Sequence, residues 1–281
     1  MGWLYILLSC LCFGITNCIW SVAQKGGNHL TTVINRSLFT VLFYSLILLI
    51  PSTHPVTAPS PTTLLQAILI SAVSSLGLIC YVYSLRFTKV SLAVPISSLN
   101  AFFGVVTALL VLHEDFHYSL VIALIAIGIA LSLLQEERSL GFSKGVWLNI
   151  GAAFFWGVTF ALFYIPIRTL GPWLFGFVLE ATVLSVAILF FCFQRERWSW
   201  QPLRQRLGWY MLLGILGVGG GAFFNLSTQY LPISLLSILG VSTIFISLLL
   251  SRLWLKEKLQ QKEWISISLF ALAVLLLKSA Y

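Results

Sequence analysis

Ten apolar runs, separated by short polar or turn-forming stretches, occupy almost the whole chain; they cover approximately residues 3–23, 32–50, 64–85, 91–112, 117–134, 145–166, 172–193, 207–229, 233–255 and 264–278. A helix needs roughly 20 apolar residues to cross the ~30 Å hydrocarbon layer of a bilayer, and the runs are of that order. Composition closes off a soluble fold, since 59% of the 281 residues are hydrophobic, 9% are charged and the mean hydropathy is +0.99. Water does not solvate such a chain. The expected fold class is therefore an all-α integral membrane protein with ten transmembrane helices.

Ten spans leave about eight residues for each connection, with no room for a soluble catalytic or nucleic-acid-binding domain. The net charge of +8 is accordingly read through the membrane, where basic loops are normal, and not as a footprint for DNA or RNA. Cys10, Cys12, Cys18, Cys80 and Cys192 all fall inside apolar runs, without the spacing of a disulfide framework or a zinc site. The first residues, MGWLYILLSCLCFG, lack the basic start of a signal peptide, and their apolar run continues past the length of one. They are read as a retained first helix.

An internal repeat runs through the chain at an offset of 143 or 144 residues. Cys12-Phe13-Gly14-Ile15-Thr16 in span one answers Phe155-Trp156-Gly157-Val158-Thr159 in span six, and Gly2 answers Gly145. Ser71, Ser74 and Gly77 in span three answer Gly214, Gly217 and Gly220 in span eight. Ser91-Leu92 answers Ser234-Leu235, and Glu114 answers Glu257. The two longest connections, PSTHPVTAPSPTT and QRERWSWQPLRQR, sit at the same place in each half. The division is into residues 1–138 and 139–281, five spans each. An odd number of spans makes the second copy enter the membrane in the opposite sense, the inverted-repeat plan by which transporters build a midplane site that faces either side.

Lysine and arginine are distributed unevenly between the loops. Those after the odd-numbered spans hold Lys25, Arg86, Lys89, Arg138, Lys144, Arg195, Arg197, Arg204, Arg206, Lys256, Lys258 and Lys262, against Arg168 and Lys278 on the other side. By the positive-inside rule this bias places both termini outside the cytoplasm.

At this level the chain resembles the drug/metabolite transporter superfamily in its ten-helix, EamA-like branch. The resemblance rests on aromatic-Gly-x-Thr in spans one and six, an arginine in span two, the Phe/Tyr-x-x-Val/Ile-Ser turn into spans four and nine, and a glutamate just after each of those two spans. It implies two inverted five-helix repeats around a central cavity, spans five and ten at the periphery, and solute movement by alternating access. Relatives carry amino acids, amines, sugar nucleotides, phosphorylated sugars and drugs, so resemblance selects no substrate. Relatives usually keep both termini in the cytoplasm, the reverse of what the charges indicate.

An ionisable group inside a bilayer is a functional candidate because it is costly when unpaired. Arg36 in span two and Glu180 in span seven stand at the same position of the two repeats, 144 residues apart, and are expected at comparable depth on opposite sides of one cavity. There Arg36 would take a carboxylate or phosphate of the solute and Glu180 an ammonium or a coupling proton. The plain alternative is a structural ion pair, or two side chains reaching separately to the interface. Trp20, Tyr81, Tyr83, Trp156 and Tyr164 are candidate walls of the site, able to hold a cation or stack on a planar solute, though such rings also serve as packing and interfacial anchors. Asn17 and Asn100 are further intramembrane polar groups in need of partners. The rows Ser71, Ser74, Gly77 and Gly214, Gly217, Gly220 allow close helix approach, either as the contact about which the repeats pivot or as packing alone. Pro95 removes an amide donor from span four and is a candidate bend.

His113-Glu114-Asp115-Phe116-His117 matches H-E-x-x-H, the zinc-protease signature in which one helix face presents both imidazoles. Its repeat mate, Lys256-Glu257-Lys258-Leu259-Gln260, keeps the glutamate and lacks both histidines, so duplication explains Glu114 without a metal. No Walker-type phosphate loop occurs, which points to a gradient or exchange as the energy source. The leading expectation is a secondary transporter of a small amphoteric, amino-acid-like solute in a bacterial inner membrane. It carries no cofactor and no metal, is not an enzyme, draws on a proton gradient or on exchange, and is a monomer or homodimer. The competing classes are a membrane-embedded zinc hydrolase and a non-transporting membrane scaffold or receptor, with a channel disfavoured for want of a filter segment.

Overall fold

In a computed structural model of the chain, residues 1–24, 29–50, 58–84, 87, 93, 96–134, 143–193, 201–255 and 260–280 are described, and among them every regular element is a helix. In chain order these are α1 (Gly2–Gln24), α2 (His29–Ile47), α3 (Pro61–Ser84), α4 (Asn100–Val111), α5 (Tyr118–Leu133), α6 (Lys144–Leu162), α7 (Tyr164–Phe193), α8 (Gln201–Ser227), α9 (Ile233–Leu239), α10 (Ser242–Leu255) and α11 (Gln261–Ala280). Lipid offers the backbone no partner, so apolar runs pair their own N–H and C=O groups within helices. Seven spans among the described residues are long and apolar enough to cross a membrane, and α4 and α5 are shorter apolar helices. Of the sequence features, Lys25, Arg86, Lys89, Ser91, Leu92, Pro95, Arg138, Arg195, Arg197, Lys256, Glu257 and Lys258 lie outside the described residues.

Local chemistry explains several helix ends. The Ser60 hydroxyl accepts the Thr63 amide at 3.2 Å, and Pro61 fills the first helical position of α3, where no amide donor is needed. Before α11, the Gln260 amide donates to the Glu263 carboxylate at 2.5 Å, the reciprocal half of a capping box. Gly171, at φ 75° and ψ 166°, divides α7 ahead of Pro172. The structure therefore ends the sixth span and begins the seventh at a sharp glycine joint.

Spans four and nine are both interrupted, three residues past the candidate bend Pro95 in the one and at the equivalent place in the other. The Ala101 amide reaches back only three residues, to the Ser98 carbonyl at 3.1 Å, and the Ile244 amide likewise to Val241 at 3.0 Å. These two bonds fall 143 positions apart, so both copies tighten into a 3₁₀ turn at the same place.

The chain forms two compact units, and each draws on both halves of the sequence. The first comprises Met1–Ser75 and Phe163–Tyr230, the second Leu76–Leu162 and Leu231–Tyr281. In the first, α1 packs along α8, and α2 packs on α7 and α8. Glycines of α8 set the spacing. A Cβ at Gly214 would stand 2.6 Å from the Phe39 Cβ, one at Gly217 3.0 Å from the Arg36 guanidinium, and one at Gly220 2.8 Å from the Phe13 ring. Gly214 and Gly217 thus serve α2 while Gly220 serves α1, so the row seats two different helices rather than one. In the second unit α4 packs on α6 and α9, and α5 lies along α11.

Candidate functional site

The inner face of α2 is unusually polar for a membrane helix, with Thr31, Thr32, Asn35, Ser37 and Thr40 all buried. Arg36 lies among them. Its Nη2 donates to Glu180 Oε1 at 2.6 Å, and the two side chains are only 14% and 11% exposed. The Ser37 hydroxyl donates to the other carboxylate oxygen at the long distance of 3.5 Å. Thr40 returns its hydroxyl to the Arg36 carbonyl at 3.0 Å, and that oxygen lies 3.2 Å from where a Cβ on Gly217 would stand. The absence of a side chain at Gly217 leaves room for the guanidinium to lie against α8.

Two turns further along α2, Tyr44 is 1% exposed and donates to the Val218 carbonyl at 3.3 Å. Its ring end occupies the space that a Cβ on Gly176 or Gly221 would fill, 2.5 and 2.9 Å away. The phenol closes the packing of α2, α7 and α8 on one side of the ion pair. Of the two arrangements open to Arg36 and Glu180 in the sequence, facing each other across a cavity or forming an ion pair, the structure has direct contact. The cause is the packing of α2 on α7, which brings equivalent positions of the two repeats together. Two oppositely charged groups out of water are far less costly paired than apart.

The aromatic candidates divide between the units. In the second, Tyr81 and Trp156 lie with ring centroids 5.5 Å apart, and the indole rests on Gly77, where a Cβ would come within 2.8 Å of it. The same helix pair carries a buried bond from the Ser84 hydroxyl to Asn149 Oδ1 at 2.9 Å. Asn100 opens α4, and its carbonyl lies 2.5 Å from the position of a Cβ on Gly157, so this glycine permits α4 and α6 to touch. Tyr83 lies within α3, partly buried.

In the first unit, Trp20 packs against the cluster of Ile19, Ala23, Tyr210 and Leu213. Tyr164 is covered by the exposed Arg168 at 5.4 Å, a cation–π contact in the first turns of α7. Asn17 is exposed on the face of α1 that buries Ile6 and Cys10, away from the exposed ridge of Leu4, Leu7 and Leu11. Ser71 and Ser74 are buried in α3.

The duplicated aromatic-Gly-x-Thr motif acquires a packing role. Phe13 rests on Gly220 and Trp156 on Gly77, one contact made twice by residues 143 apart. Thr16 donates to the Cys12 carbonyl at 2.9 Å and Thr159 to Phe155 at 2.7 Å, again equivalent.

The zinc-protease match fails on geometry. Residues 113–117 are not helical, so the imidazoles do not share a helix face, and His113 sits at φ 55° in the turn that stops α4. Glu114 is engaged elsewhere: its two carboxylate oxygens accept the Ile233 and Ser234 amides at 2.6 and 2.9 Å, capping α9. Among the described residues no group of three His, Cys, Asp or Glu side chains is placed to hold a metal.

Asn35, Ser37, Tyr44, Asn149 and Gly176 escaped the sequence reading. The first two had a visible signal in the polar density of TTVINRSLFT; the others depend on partners more than fifty residues away.

A family model described as the EamA-like transporter family matches residues 1–135 and 143–279. No curated protein sequence matches the chain. One solved crystal structure superposes with a TM-score of 0.82 at 14% identity, covering 99% of this chain and 97% of the other, a likeness of fold alone.

Proposed function

The chain belongs to the EamA-like transporter family, and from that premise we propose that it is a secondary active transporter moving a small polar or amphoteric, amino-acid-like metabolite by alternating access. The observation that carries this reading is the buried Arg36–Glu180 pair at 2.6 Å, two opposite charges at matching positions of the two repeats within apolar helices. A zwitterion offers a carboxylate to the guanidinium and an ammonium to the carboxylate, and so can exchange partners with the pair at no change in net charge. Glu180 is also the acid positioned to accept a coupling proton when the pair opens.

The ten-span count, with α9 and α10 forming one interrupted span, and the inverted arrangement of 1–138 and 139–281 belong to this proposal. The twice-made glycine–aromatic contact and the matching 3₁₀ turns support it. Trp20, Tyr164 and Asn17, in the same unit as the pair, are its proposed additional lining, Tyr81, Tyr83, Trp156 and Asn100 are proposed solute contacts of the second unit taken by itself, and the small-residue rows are the proposed pivots. The same reading places the protein in a bacterial inner membrane, as a monomer or homodimer.

Proteoliposomes loaded with a panel of amino acids, assayed with and without a pH gradient, test it. Glu180→Gln is expected to abolish transport while the protein still inserts and purifies. Unimpaired flux in that variant would falsify the assignment.

A further inference from the structure

Asn35 differs from the other buried asparagines. Asn149 accepts a hydroxyl from Ser84, and Asn225 donates to the Pro172 carbonyl at 2.9 Å. Asn35 is 0% exposed, and neither its Oδ1 nor its Nδ2 finds a partner among the described residues. A carboxamide wholly removed from water and left bare is unfavourable, and native interiors rarely tolerate one without a reason. Its location supplies one. Asn35 precedes Arg36 on α2, and one turn later on its own face Phe39 packs against Gly214 and the cluster that Trp20 covers. The amide therefore lies one residue from Arg36 in the chain, on the ridge of α2 that Phe39 turns toward α8.

We propose that Asn35 is a third solute-recognition residue beside Arg36 and Glu180, and that the solute is a zwitterion bearing an additional uncharged hydrogen-bonding group. The inference rests on the solute role assigned above to the ion pair. Arg36 and Glu180 sum to zero charge, so a solute with net charge would remain uncompensated in the membrane interior, whereas a zwitterion would not. An aliphatic zwitterion would satisfy both charges and leave the Asn35 amide bare. A hydroxyl or carboxamide on the solute can take its donor and its acceptor together. Sites built to hydrogen-bond a solute group discriminate against analogues lacking it far more strongly than apolar pockets discriminate by size.

The test uses the full-length protein in proteoliposomes with two probe pairs of similar shape, L-threonine against L-valine and L-glutamine against L-norleucine. Wild type is expected to take the polar member of each pair at least about tenfold better. Asn35→Leu is expected to bring the ratio to near unity, with a detergent-solution melting midpoint equal to or above wild type because a bare amide has been replaced by an apolar group. Asn35→Ala, which adds no bulk, should show the same loss of preference. A ratio unchanged in both variants, or a lowered midpoint with wild-type selectivity, overturns the inference and makes the amide a structural or water-binding group. Uptake indifferent to Glu180→Gln overturns the parent reading. Uptake that needs Glu180 but ignores Asn35 overturns this inference alone, and no uptake of any of the four probes overturns it as well.

Discussion

The two compact units each contain a partly shielded carboxylate, and they use it in opposite ways. Glu180 in the first unit meets a side chain, the Arg36 guanidinium, at 2.6 Å. Glu114 in the second meets backbone, the Ile233 and Ser234 amides at the start of α9. Backbone donors at a helix start have no intrahelical partner, so a carboxylate placed there satisfies a permanent need of the fold. A guanidinium has five donors in a fork and can change partners. Chemically identical groups thus serve architecture in one unit and, on our reading, exchange in the other; what separates them is whether the partner can leave.

The sharpest way to break that contrast is to exchange the charges of the first unit. Arg36→Ala or Glu180→Ala strands a buried charge and is expected to cost about 3–5 kcal/mol of stability as well as all transport. The double variant Arg36→Glu with Glu180→Arg should recover most of the melting midpoint without recovering transport; recovery of both would make the pair purely structural. Next in size, Glu114→Ala removes the acceptor of two amides and is expected to cost about 1–2 kcal/mol, seen as a lower midpoint, while flux per folded molecule is retained. If flux were lost at full stability, the carboxylate would be more than a cap.

Smaller effects sharpen the likeness beneath the contrast. Gly220→Ala and Gly77→Ala each push a Cβ against an aromatic ring, and each should cost about 1–3 kcal/mol by overpacking. Similar costs for the two would support equivalent seats in the repeats, and a large disparity would count against them. The smallest change is expected at His113→Gly, which relieves a left-handed residue at φ 55° and should leave the midpoint level or slightly raised, with transport intact. Loss of activity there would reopen a chemical role for the histidine.

Much of this architecture could be read from sequence. Helical class follows from apolar runs in a medium where only internally paired backbone survives. The repeat was visible because equivalent contacts, Phe13 on Gly220 and Trp156 on Gly77, demand the same residue types twice. Arg36 and Glu180 were conspicuous because charge in lipid is rare. What could not be read was contact. The seat of Tyr44 needs Gly176 and Gly221 from two other helices, and each residue alone is ordinary. Glu114 could be read as a duplicated glutamate but not as a cap, because a helix cap formed across 119 residues has no local signature.

The sequence by itself therefore determined a membrane-spanning, duplicated helical chain with one charge of each sign at matching places in its two copies, since hydropathy and periodicity are properties of the chain alone. Tertiary structure decided that these charges touch, that Glu114 caps a helix, and that Asn35 is buried with nothing to bond among the described residues. Pairing and orphanhood are set by which helix faces meet, and helices without a hydrophobic drive to associate choose their neighbours by shape, through glycines and the rings that fill them.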